Sequence, residues 1–147
     1  MELKVKNADI WTAIQPLGEG KPSALQAALK WPMSAAGSRN AAKLARQLGD
    51  EAKDIDAARV KLCEELCEKT APETEGGEVK PLTDANGYVF TDAARAEFAR
   101  RWAELLEAEA VIHGVRPIYD NELGGGSRYE PEVMLIMGPF MAEKPAE

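Results

Sequence analysis

Apolar residues recur at helical spacing through a long stretch of this chain, from about Ser34 to Lys69. Ala41, Leu48, Ile55 and Leu62 stand seven apart, and Leu44, Ala45, Ala52, Ala58 and Leu66 fill the same side. The pattern predicts one amphipathic rod of roughly 50 Å at 1.5 Å rise per residue. A rod of that length needs cover along its seam, from elsewhere in the chain or from another molecule. Ser34 or Ser38 can cap its start, Gly37 unsettles its first turn, and Thr70-Ala71-Pro72 ends it.

Glu2-Leu3-Lys4-Val5-Lys6 alternates charged and apolar residues, the period of a half-buried strand. Asn7 then suits the cap of a short helix to about Gln15, with Ile10, Trp11 and Ile14 inward. Pro16 and Gly18-Glu19-Gly20 stop it. A second short helix, Ser23 to Lys30, presents Leu25, Ala28 and Leu29 and is broken by Trp31-Pro32. Beyond the rod, Asn86-Gly87 between apolar segments predicts a hairpin near 79–90, with Pro81 marking an edge strand. Thr91 can cap a helix from Asp92 to about Glu109, striped by Phe98, Trp102, Leu105 and Leu106. A strand-like segment, Val111 to Tyr119, leads to Gly124-Gly125-Gly126-Ser127, and Pro131 opens a short final helix before Gly138-Pro139. The expected class is a helix-dominated α+β fold. Two long antiparallel helices would pack with shorter helices and a small, mostly antiparallel sheet. The whole chain, 1–147, reads as one domain with mobile loops at 70–78 and 123–128.

Composition changes this picture little: 147 residues, 45% hydrophobic and 29% charged, describe a globular chain that needs no disulfide or metal staple. No apolar run approaches the roughly 20 residues of a membrane span. The start lacks the apolar core of a signal peptide, so the expected location is the cytoplasm. Charge is uneven: residues 1–62 sum to +3 and residues 63–147 to −10 within a net −7. That polarity bears on partners and self-association rather than on fold.

The order of these pieces resembles a family of small proteins of unknown function from tailed bacteriophages and prophages. The resemblance runs from Leu3-Lys4-Val5-Lys6-Asn7 through Ala41–Leu48, Leu62–Leu66, the Asp84-Ala85-Asn86-Gly87 turn and Leu105-Leu106-Glu107. Its most specific part is the ending, Val115-Arg116-Pro117-Ile118 and then Tyr129 to Phe140. The chain departs from it around Lys21 to Trp31 and in the glycine-rich Leu123 to Ser127 loop. The resemblance implies a phage-encoded accessory or structural protein, residing in the bacterial host cell or the virion, and supplies no catalytic motif.

Candidate chemistry is sparse. Cys63 and Cys67 lie four apart among Glu64, Glu65 and Glu68, at the edge of the seam or outside it, where neighbouring negative charge would raise a thiol pKa. Their spacing fits no common zinc pattern, and His113 is the sole histidine, so no metal site, catalytic residue or cofactor is expected. No Gly-x-Ser-x-Gly elbow accompanies His113. Glu104, Glu107, Glu109, Glu130 and Glu132 are plentiful carboxylates, but Arg100 and Arg101 suggest surface ion pairs. Gly124 to Arg128 lacks the ending of a P-loop. The basic row Arg39, Lys43, Arg46, Lys53 and Lys61 is interrupted by Asp50 and Asp54, so a solvated face is favoured over nucleic acid.

A protein partner, phage or host, or a second copy of the chain is therefore expected, with no membrane contact. Met134, Met137, Phe140 and Met141, in the densest apolar patch, are one candidate partner site, unless that segment closes the core. Glu104, Glu107 and Glu109 are the other. They would serve an alternative role as an acidic inhibitor of a host nucleic-acid-binding enzyme or defence complex. A metal-dependent hydrolase is the third and least favoured reading.

Overall fold

The computed structural model of the chain describes residues 1–71, 76–124 and 129–145. It is a helix-dominated α+β fold with one long helix and small two-stranded sheets. The loops expected at 70–78 and 123–128 lie partly outside the described residues. Chain contacts cluster into two compact units, Met1–Lys53 with Leu106–Glu147, and Asp54–Leu105. The boundaries fall inside the two longest helices, α3 (Ala35–Leu66) and α4 (Asp92–Glu107).

In the larger unit, β1 (Glu2–Lys6) pairs antiparallel with β4 (Glu109–His113). Both strands alternate exposed and buried positions, so Leu3 opposite Ile112 and Val5 opposite Ala110 make one apolar face. The Asn7 amide extends this pairing to the Ala108 carbonyl at 2.9 Å. Asn7 is thus the first residue of α1 (Asn7–Ile14) rather than its cap; Lys6 holds the cap position without a capping bond from its side chain. Ile10 and Ala13 are buried there, while Trp11 and Ile14 are half-buried.

The turn before α2 (Ala24–Ala28) is closed reciprocally. Ser23 Oγ accepts from the Gln26 amide and Gln26 Oε1 from the Ser23 amide, each at 3.1 Å. Leu29, expected inside, is the cap residue and 43% exposed, and Ala24 is buried instead. The predicted Val111–Tyr119 strand is broken at Gly114, whose φ of 78° turns the chain between β4 and β5 (Ile118–Tyr119).

Pro131 opens α5 (Pro131–Met137), which buries Val133 and Met137 one turn apart and packs on α2 and α1. A 3-10 turn, Gly138–Phe140, then carries Phe140 into the core. It delivers β6 (Met141–Ala142) to a parallel pairing with β5. The first part of α3 buries Ala41, Leu44, Leu48 and Ala52, the predicted seam.

In the smaller unit, α3 ends at Leu66, short of the predicted Lys69, because the backbone is diverted into other bonds. The Glu68 amide donates to the Val89 carbonyl, the Leu82 amide to the Glu68 carbonyl and the Thr70 amide to the Lys80 carbonyl, each at 2.8 Å. The hairpin has short strands, β2 (Thr83–Asp84) and β3 (Gly87–Tyr88). Its turn uses positive φ only at Gly87, at 108°; Asn86 instead donates its amide to Asp84 Oδ1 at 2.8 Å. Thr91 caps α4 as expected, its Oγ1 accepting from the Ala94 amide at 3.1 Å. The Glu68–Val89 bond joins the exit of α3 to the entry of α4, and Arg101 reaches back to Glu65 at 3.0 Å. The two helices therefore run antiparallel within this unit.

Candidate interaction surface

The two units differ sharply in how well their helices are covered. Eight-residue α1 buries two residues, five-residue α2 three and seven-residue α5 two, whereas the sixteen residues of α4 bury none. Its apolar stripe of Phe98, Trp102, Leu105 and Leu106 is only half-buried. The facing part of α3 behaves alike: Ile55 is buried, but Ala58, Leu62 and Leu66 are half-buried. Aromatic contacts occupy part of this stripe, with Phe90 and Phe98 ring centroids 5.6 Å apart and Phe98 stacked on Trp102 at 6.3 Å.

A cleft of about 470 Å³ opens between these helices, lined by Ala58, Lys61, Leu62, Glu65, Arg101, Glu104 and Leu105. On α3 the lining residues fall at i, i+3, i+4 and i+7, and on α4 at i, i+3 and i+4, the spacing by which one helix packs on another. Arg101 bridges the cleft to Glu65 and holds that carboxyl below its usual pKa, chiefly through the hydrogen bond. Glu104 accepts from Arg100 at 2.6 Å, and Arg100 also binds Glu97 at 2.5 Å. Arg100 thus serves as the surface ion pair that the sequence suggests, whereas Arg101 crosses to the other helix. Lys61 is exposed and forms no ion pair with the described residues.

A second cleft, of about 390 Å³, lies in the larger unit beside Ser34, Ala36, Arg116, Tyr119, Asn121, Glu122 and Lys144. The Arg116 and Glu122 charges there are already matched. Arg116 binds Glu122 through both guanidinium ends, at 2.5 and 2.6 Å, and lies 4.3 Å from the Tyr119 ring centroid. Glu122 Oε1 also accepts from the Tyr119 amide at 3.1 Å, and the Glu122 carbonyl accepts from the Ser34 amide at 2.8 Å. Asn40 brackets the Arg116 backbone, donating to its carbonyl at 2.9 Å and accepting from its amide at 3.3 Å. The Arg116 hydrogen bond holds the Glu122 carboxyl below the usual carboxylate range. The group is a clasp between the start of α3 and the chain after β4, with no spare charge facing the cleft from the Arg116–Glu122 pair.

This clasp explains Gly37, the awkward glycine of the first helical turn. A Cβ there would stand 2.9 Å from Glu122 Cβ and 3.2 Å from both Glu122 Oε2 and Ser34 Oγ. Gly37→Ala is therefore expected to destabilise the protein by about 1–2 kcal/mol, overpacking outweighing a helix-propensity gain below about 1 kcal/mol. Urea unfolding checks this; an unchanged or higher midpoint would contradict the close packing.

Of the residues singled out in the sequence, Met137 and Phe140 are core, so they offer no surface to a partner in this conformation. Met134 and Met141 are half-buried, and the exposed apolar group of that segment is Leu135, at 81%. Sequence spacing missed it because Leu135 sits within a five-residue apolar run that shows no helical stripe. Glu104 lines the α3–α4 cleft, Glu107 is paired with Lys6 at 3.0 Å, and Glu109 is exposed on β4 opposite Lys6. Glu130 accepts from Trp31 Nε1 at 3.4 Å.

Cys63 and Cys67 are free and both buried, a correction to their expected place at or beyond the seam edge. Burial, rather than the neighbouring glutamates, is the main cause that pushes the Cys63 thiol up. Burial likewise raises the Tyr88 phenol, which shares their surroundings. His113 is exposed at the end of β4, 3.7 Å from Glu2. Among the described residues, no three His, Cys, Asp or Glu side chains are grouped to hold a metal. The basic row Arg39, Lys43, Arg46, Lys53 and Lys61 is exposed throughout, and Gly125 to Arg128 lie outside the described residues. Among the described residues no helix is long and apolar enough to cross a membrane. Comparison of the chain with protein-family models, with curated proteins and with solved structures gives no match.

Proposed function

We propose that this protein acts through protein–protein contact rather than chemistry of its own, as a phage or prophage accessory or structural protein. The smaller unit is its working surface. One observation carries the reading: the second-longest helix buries no residue, although it bears two large aromatics and two leucines. Half-covered apolar side chains at helix-packing spacing gain free energy from any surface that removes them from water. The phage assignment rests on the sequence resemblance, above all on the segment from Tyr129 to Phe140. The acidic-inhibitor alternative draws less support, since Glu107 is engaged by Lys6 of the same chain and the half-buried apolar stripe gives it no role.

A photo-crosslinking residue at Lys61 tests the proposal in cells carrying the phage, with the same residue at exposed Arg46 as control. The expected result is a discrete protein adduct from position 61 and none from 46, the partner being this chain or another phage product. No adduct from 61, or the same adducts from both positions, would overturn the choice of surface. An adduct with a basic host protein would favour the inhibitor reading.

A further inference from the structure

The charges around the α3–α4 cleft make it complementary to itself. Apolar Ala58, Leu62 and Leu105 form its floor; Lys61 stands on the α3 side and Glu104 on the α4 side. Between them, Glu65 and Arg101 already neutralise each other at 3.0 Å. Lys61 acts on the Glu65 carboxylate, which Arg101 already engages, and forms an ion pair with none of the described residues, so it has room for an acidic partner. Glu104 spends one oxygen on Arg100, and a carboxylate accepts several hydrogen bonds, so it has room for a second cation. A face with one cation and one anion on opposite sides of an apolar strip matches its own image under a two-fold rotation.

We infer that the occupant of this cleft is a second copy of the same chain, seated so that Lys61 of each copy meets Glu104 of the other. This deepens the reading of the smaller unit as a contact surface and rests on it. The two copies would bring four helices together, with Ala58, Leu62 and Leu105 at the centre and two equivalent Lys61–Glu104 pairs at the rim. Small Ala58 allows close approach of α4 from the second copy. Rim charges of this kind set partner choice and register, and their strength falls with salt.

Charge reversal tests the pairing without relying on loss alone. Wild-type protein is expected to sediment as a dimer at about 100 μM, a concentration that fills any complex of micromolar Kd. K61E and E104K, both at exposed positions, should each weaken the dimer about tenfold, because each reversal spoils both symmetric pairs. The double variant K61E/E104K, and an equimolar mixture of the two single variants, should recover the wild-type Kd to within about twofold, since opposite charges again face each other. Circular dichroism and Tm confirm folding of every variant. Recovery on mixing is a readout that the lost Arg100–Glu104 bond in E104K does not produce.

A wild-type monomer at that concentration would overturn the self-association. So would a dimer indifferent to both reversals, or single variants that fail to recover when mixed. In each of these cases a crosslink from Lys61 to a different phage protein would leave the broader contact reading in place, whereas no crosslink at all would remove both.

Discussion

Replacing Phe140 with alanine is expected to lower the unfolding free energy by about 3–5 kcal/mol, the range for a large aromatic removed from a closed core. Phe140 has no exposed surface and follows directly on α5, whose Val133 and Met137 are equally enclosed. The Gly138–Phe140 turn leaves little freedom for neighbours to collapse into the space, because Met141 and Ala142 are fixed by pairing with Ile118 and Tyr119. Urea unfolding should show a lower midpoint with an unchanged slope. Leu135→Ala is the matched contrast, two residues before Met137 and 81% exposed, and should fall within about 0.5 kcal/mol of wild type. Equal effects from both substitutions would mean that the C-terminal segment does not seal the core.

The second large effect is expected at Glu122. Glu122→Ala strips the Arg116 guanidinium of its two-point partner in a site where Arg116 is 20% exposed and Glu122 9%. Removing one member of a fully buried pair costs about 3–5 kcal/mol; residual water at Arg116 reduces this to about 2–3 kcal/mol. The substitution should also change the response to acid. The folded carboxylate releases its proton more readily than the unfolded one, so the unfolded chain takes up a proton first as pH falls. The stabilisation is complete above the unfolded value of about 4.3 and is lost as pH drops through the lower folded value. Wild type and Glu122→Ala should therefore differ most at neutral pH and converge in strong acid. A gap that stays constant with pH would show that the carboxylate's charge is not what holds Arg116.

Much of the fold was legible where the information is local. Thr91, Pro131 and the seven-residue recurrence from Ala41 to Ile55 each act within a few residues of themselves, and each does what its chemistry predicts. Pairings between distant segments were not legible. Nothing in Leu3 or Val5 specifies Ile112 or Ala110 as a neighbour, since any alternating strand offers the same face. The parallel pairing of Ile118 with Met141 depends on where α5 delivers the chain, which no local signal encodes. The cysteines were misplaced because a helical wheel gives direction but not what the hairpin covers. The Arg116–Glu122 clasp escaped notice for a related reason. Six residues apart across a two-residue strand and a 3-10 turn, the two follow no periodic spacing rule. The surface of the smaller unit could be read as an apolar stripe, but not as one left half-covered, because coverage is a property of the assembled chain.

The division of the chain has a consequence for its synthesis. The smaller unit is one continuous stretch, Asp54–Leu105, whereas the larger is built from residues on both sides of it. As the polypeptide leaves the ribosome, β1 emerges about a hundred residues ahead of β4, and its apolar side must wait for the partner that shields it. The helical hairpin emerges whole in the meantime. Its contacts are made within one continuous stretch, so it can fold before the segment that completes the larger unit has left the ribosome.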